Sequence, residues 1–115
     1  MKGSRRYCFS CDLKDNADLI SQYKFYHAAE NHWTEIAESI KESGILEMEI
    51  YLTGNRMFMI MEVDDSFSFE KKARMDTANP KVQEWEKLMS SFQQKLPWAT
   101  EDEKWTQTEM IFKLS

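Results

Sequence analysis

The stretch Leu46-Glu-Met-Glu-Ile-Tyr-Leu-Thr-Gly-Asn-Arg-Met-Phe-Met-Ile-Met-Glu-Val63 decides the fold. In its first half Met48, Ile50 and Leu52 alternate with Glu47, Glu49 and Tyr51. That period of two predicts a strand over 46–52 with one buried and one wetter face, as at a sheet edge. Gly54-Asn55 then predicts a tight hairpin turn, because both residue types tolerate positive φ. The second half, Arg56–Val63, is apolar on both faces: Met57, Met59 and Met61 alternate with Phe58 and Ile60. A strand of that kind belongs at the centre of a sheet, with something covering each side.

Working outward, Arg5–Leu13 predicts another strand, with Tyr7, Phe9, Cys11 and Leu13 on one face and Cys8 and Ser10 on the other. Asp15-Asn16 offers a helix cap. The following helix is expected to run, with a kink, to about Glu42, carrying Trp33, Ile36, Ala37 and Ile40 as a buried stripe. Gly44 supplies the left-handed residue that ends it. Beyond the hairpin, Asp65-Ser66 opens a shorter helical stretch to about Met75. Asn79-Pro80 starts another, with Asn as cap and Pro at the first helical position. Val82, Trp85, Met89, Phe92 and Leu96 predict that this helix continues to Pro97. An acidic loop over 98–105 leads to a last strand, 108–114, with Met110, Phe112 and Leu114 on one side.

Strand, helix, strand, strand, helix, strand is the ferredoxin-like βαββαβ order, an α+β fold with an antiparallel sheet and helices on one face. Two helices cover one side only. The doubly apolar central strand therefore predicts a homodimer whose sheets face each other around a cavity, a dimeric α/β barrel.

The chain of 115 residues is expected to be one domain, 1–115. A net charge of −5 argues against nucleic acid as a partner, since no basic face offsets phosphates. No apolar run approaches the roughly 20 residues of a membrane span, and Met1 to Arg6 lead into a strand and not a signal peptide, so a cytoplasmic protein is expected. Cys8-Phe-Ser-Cys11 is a CxxC, but cysteines three apart on a strand face opposite sides, about 10 Å apart and beyond disulfide reach. With His27 and His32 they approach a zinc-finger spacing whose middle spacer is too long; two ordinary thiols are the simpler reading.

Both histidines fall within Tyr23-Lys-Phe-Tyr-His-Ala-Ala-Glu-Asn-His-Trp33. Read as helix, this stretch puts Tyr23 and His27 four residues apart on one face. Imidazole titrates near neutrality, at roughly pH 6.5, so the pair suits cofactor-free proton transfer to a polyol; packing alone is the competing explanation.

The chain carries Tyr23-x3-His27 before Trp33-Thr-Glu-Ile36, Ser43-Gly-Ile45 leading to Glu49-Ile-Tyr51, the run Gly54 to Glu62, Gln83-Glu-Trp85-Glu-Lys-Leu-Met89, and Glu103-Lys-Trp105 before Ile111-Phe-Lys-Leu114. In the order and spacing of these motifs it resembles the L-rhamnose mutarotases, including relatives that act on L-fucose. The run over 54–62 is nearer the fucose-acting members. The resemblance implies His27 as proton donor, Tyr23 as a sugar contact, and Trp85 as the first of two tryptophans lining the sugar site. The second tryptophan is Glu86 here, and Met48 replaces a substrate-contacting tyrosine. Two extra residues between His27 and Trp33 imply a helix bulge. A monosaccharide substrate is implied, with no cofactor and no metal. Interconversion of anomers needs only a proton moved between the anomeric hydroxyl and the ring oxygen, for which His27 with Tyr23 or Glu86 suffices. A non-catalytic sugar-binding dimer and a small monooxygenase are the alternatives on this scaffold.

Overall fold

Alternating apolar residues and a two-residue turn produce the central hairpin of the molecule, whose computed structural model describes residues 5–114. The N-terminal Met1–Ser4 lies outside the described residues. Strand β1 spans Arg5–Leu13, β2 Ile45–Thr53 and β3 Arg56–Val63. β3 lies between β2 and β1, antiparallel to both, so the strand apolar on both faces is interior and β2 is at the edge. Of the two turn residues Gly54 takes positive φ, at 58°, and Asn55 does not. Asn55 instead anchors the turn to β1, its side-chain amide donating to the Leu13 carbonyl at 2.9 Å.

The helices cover one face. Helix α1 spans Ala17–His27 and α2 Thr34–Glu42. The single kinked helix expected to Glu42 is therefore two helices, and the bulge expected after His27 is a full break: Ala28 is extended, with φ −65° and ψ 149°. Residues 28–33 turn the chain back so that the Trp33 ring meets Trp85. That tertiary contact overrides the helical preference of Ala28-Ala-Glu30. Gly44 follows α2 at φ 101°, where a side chain would collide with Asp64 and Ser66 at 2.8 Å.

Helix α3 spans Phe69–Ala78 and α4 Pro80–Ser90, each with a side-chain cap, from Ser68 and Asn79 respectively. The shorter helix therefore begins three residues past the expected Asp65-Ser66, because Asp64 and Ser66 are engaged in their own turn. α4 ends six residues before Leu96. Its stripe is continued by strand β4, Gln93–Gln94, which pairs with Leu13 and Asp12. Backbone pairing with β1 takes the residues that periodicity assigned to helix, while Phe92 and Leu96 still bury their side chains.

The last expected strand, 108–114, is the largest departure. Strand β5 is only Thr106–Gln107, pairing with Ser10 and Phe9. Thr108 still bonds to the Cys8 carbonyl, and beyond it the chain leaves the sheet. Met110, Phe112 and Leu114 are 72%, 75% and 90% exposed. Phe67 and Phe69 already pack against Tyr7 at this end of β1, so a strand continued here would find its covering surface occupied.

The sheet order β2-β3-β1-β4 with helices on one side is the ferredoxin-like arrangement. The core between sheet and helices is built from Cys11, Leu13, Tyr23, Met57, Met89 and Phe92. On the opposite side of the sheet Phe58 and Tyr51 are exposed, and Asp12 holds the Arg56 guanidinium through both carboxylate oxygens, at 2.8 and 3.1 Å. Cys11 faces the core, where burial raises its thiol to about 11, while Cys8 lies on the other face. Among the described residues no group of three or more metal-ligating side chains comes together.

Candidate active site

A cavity of about 1020 Å³ opens between the sheet and helices α1 to α4. Tyr23, His27, Met48, Trp85 and Glu86 all line it. The cavity lies within one chain, so the hollow expected between two facing sheets is not where these residues meet. The helices stand far enough off β2 and β3 to leave the space themselves.

α1 holds Tyr23 and His27 on one face, as the i, i+4 spacing requires. Their rings stack with centroids 4.3 Å apart. The His27 Nδ1 lies 2.8 Å from the Tyr23 backbone carbonyl. A carbonyl only accepts, so Nδ1 carries the hydrogen and neutral His27 keeps its lone pair on Nε2. Much of the His27 side chain is open, but onto the cavity that it lines. The groups crowded around it displace enough water to hold its pKa below the usual 6.5, outweighing the carbonyl, which acts to raise it.

Trp85 closes the ring cluster from α4. It meets His27 edge-on at 5.4 Å and Trp33 at 5.0 Å. Lys81 sits over the outer face of Trp33, 4.9 Å from its centroid. Trp85 thus serves both its helix's buried stripe and the cavity wall, while Glu86 is exposed beside it. Met48 projects from β2 toward the helices and is half-buried. Tyr23 is buried, which pushes its phenol up to about 12 and keeps it protonated across physiological pH. His32 is exposed on the same wall.

Sequence reasoning did not single out Gln93 or Asp76, which also line the cavity, and it gave Lys104 and Trp105 a place in the family likeness but no role in the site. Gln93 donates its amide to the Tyr23 hydroxyl at 3.1 Å. It escaped notice because periodicity placed it on a helix that in fact ends at Ser90. Asp76 pairs with Lys72 at 2.8 Å on α3, and the i, i+4 spacing was legible without showing which way the pair faces.

A family model described as L-rhamnose mutarotase matches residues 6–114. The chain belongs to the L-rhamnose mutarotase family. Among relatives, an L-fucose mutarotase of Xanthomonas campestris pv. campestris is 40% identical over 111 residues, covering 96% of this chain and 89% of that one. A UPF0734 protein of Dictyostelium discoideum is 33% identical over 117 residues, covering 96% and 90%. Among solved structures, the L-rhamnose mutarotase of Formosa agariphila superposes with a TM-score of 0.67 at 21% identity, over 96% of this chain and 99% of that one. The tetracenomycin F2 cyclase of Streptomyces glaucescens gives 0.62 at 15%, over 96% and 97%. At these identities the two structures establish the shared fold alone. This member of the mutarotase family is an isomerase by kinship.

Proposed function

We propose that this mutarotase interconverts the α and β anomers of a 6-deoxyhexose, L-fucose ahead of L-rhamnose, without a cofactor. The observation that carries the reading is the fixed tautomer of His27. With Nδ1 tied to the Tyr23 carbonyl, Nε2 is left as a proton acceptor in a cavity walled by Trp85. Nε2 takes the proton of the anomeric hydroxyl. The imidazolium so formed donates it to the ring oxygen as the bond from that oxygen to the anomeric carbon breaks. Rotation of the freed aldehyde and the reverse steps give the other anomer, with no net change of protons or electrons. Trp85 stacks on the apolar face of the sugar, while Tyr23 and Glu86 meet its hydroxyls, and Met48 leaves room and apolar contact for the 6-methyl group. The 40% identity to an L-fucose mutarotase supports the preferred sugar.

Saturating one anomeric proton of L-fucose should transfer to the other in the presence of the protein, faster than for L-rhamnose. Transfer at the uncatalysed rate for both sugars would reject the reading.

The same reading includes a homodimer. Its support is the exposed side of the sheet around Phe58 and Tyr51, together with a C-terminal segment whose Met110, Ile111, Phe112 and Leu114 are all exposed. Apolar side chains in such number call for a covering surface, and a second copy supplies one. Phe112→Asp is expected to shift size-exclusion elution toward the monomer; a monomeric wild type would contradict the dimer.

A further inference from the structure

The geometry points to Gln93 as a positioning residue that commits Tyr23 to donate a hydrogen bond to one sugar hydroxyl. This rests on the mutarotase reading of the cavity, and it adds a residue that neither periodicity nor the family resemblance brought forward.

The Gln93 Nε2 donates to the Tyr23 hydroxyl oxygen at 3.1 Å, and that is the one hydrogen bond of the phenol among the described residues. An amide N–H₂ only donates, so it occupies an acceptor position of the oxygen and leaves the phenol's own proton uncommitted. Tyr23 is buried and lines the cavity. Its hydrogen therefore has the cavity as its outlet, and a phenol raised to about 12 does not surrender it. The Oε1 of Gln93 is buried without a partner, so among the described residues the bond to Tyr23 is the one hydrogen bond that orients the amide. The anomeric and ring oxygens are engaged by His27, which leaves a ring hydroxyl as the acceptor that Tyr23 reads.

Gln93→Glu separates this role from a purely structural one. A carboxylate only accepts, so at neutral pH the Tyr23 proton turns to it and is withdrawn from the sugar. Gln93→Leu removes the amide without offering a new acceptor, leaving the proton free for the sugar. The measurement is the Kd of L-fucose and of its 2-, 3- and 4-deoxy analogues, followed by tryptophan fluorescence. Wild type is expected to bind one analogue about tenfold more weakly than L-fucose, the size of a single well-made hydrogen bond. Tyr23→Phe and Gln93→Glu should both erase that difference at the same position, while Gln93→Leu retains most of it. Discrimination preserved in Gln93→Glu overturns the proposal. So does a uniform weakening for every analogue, which is what loss of structure would produce, and so does wild-type binding that singles out no hydroxyl. Anomer exchange recorded on the same samples keeps the two claims apart. Selective binding without exchange removes the mutarotase reading and leaves the role of Gln93 standing.

Discussion

The two walls of the cavity are held by different forces. One, from α1, the 28–33 segment and α4, is a set of interlocking rings: Tyr23 on His27, His27 against Trp85, Trp85 against Trp33. The other, from β2 and α3, brings Met48, the exposed Glu47, and the Lys72–Asp76 pair. Ring contacts in a partly dry site have few alternative arrangements, whereas the half-buried Lys72–Asp76 pair is joined through one carboxylate oxygen, between two flexible side chains of a single helix. The proposed reaction accordingly puts directional chemistry on the first wall and adjustment to the shape of the sugar on the second.

The hardest test of that division is His27→Ala. It should lower anomer exchange on L-fucose by about 10²–10⁴-fold while circular dichroism stays that of the folded protein. A smaller loss than from any change on the second wall would reverse the assignment. Trp85→Ala comes next. It removes the ring shared by His27 and Trp33, and is expected to cost about 3 kcal/mol in urea unfolding and to weaken sugar binding. Asp76→Asn should be the mildest, within about 1 kcal/mol and with exchange little changed, because the amide still accepts from Lys72.

The first wall also shapes the response to pH. His27 titrates lower in the folded state than the 6.5 of an exposed imidazole. As pH falls through 6.5 the unfolded chain takes up a proton that the folded one resists, so stability declines on the acid side. At the alkaline end Cys11 and Tyr23 ionise from 9.0 and 10.0 when unfolded but at about 11 and about 12 when folded. The unfolded chain loses those protons first, and stability falls again above pH 9. Urea midpoints should form a plateau between these limits. Removing His27 should flatten the acid shoulder while leaving the alkaline one.

How much of this was legible differs by element. The hairpin at Gly54, the cap at Asn79 and the interior place of β3 follow from local chemistry and alternation, and the structure has them. The break after His27 was not legible, because Ala28-Ala-Glu30 favours helix and the competing contact, Trp33 on Trp85, is 52 residues away in sequence. The early end of α4 has the same cause: Gln93 and Gln94 are drawn off by pairing with Leu13 and Asp12. The strand expected over 108–114 carried the right alternation, but alternation states that a face needs covering without saying by what. Five cavity residues were reached from spacing and resemblance. Gln93 was not, since its significance comes from an amide bond to a residue 70 positions earlier.

All of the proposed chemistry depends on a neutral His27 whose hydrogen is on Nδ1 and whose Nε2 faces the sugar. Long-range ¹H–¹⁵N correlation of the imidazole, followed through a pH titration, measures this directly. The account predicts the Nδ1–H tautomer at pH 7 and a titration midpoint below 6.5. A hydrogen on Nε2, or a midpoint above that of a free imidazole, would contradict it.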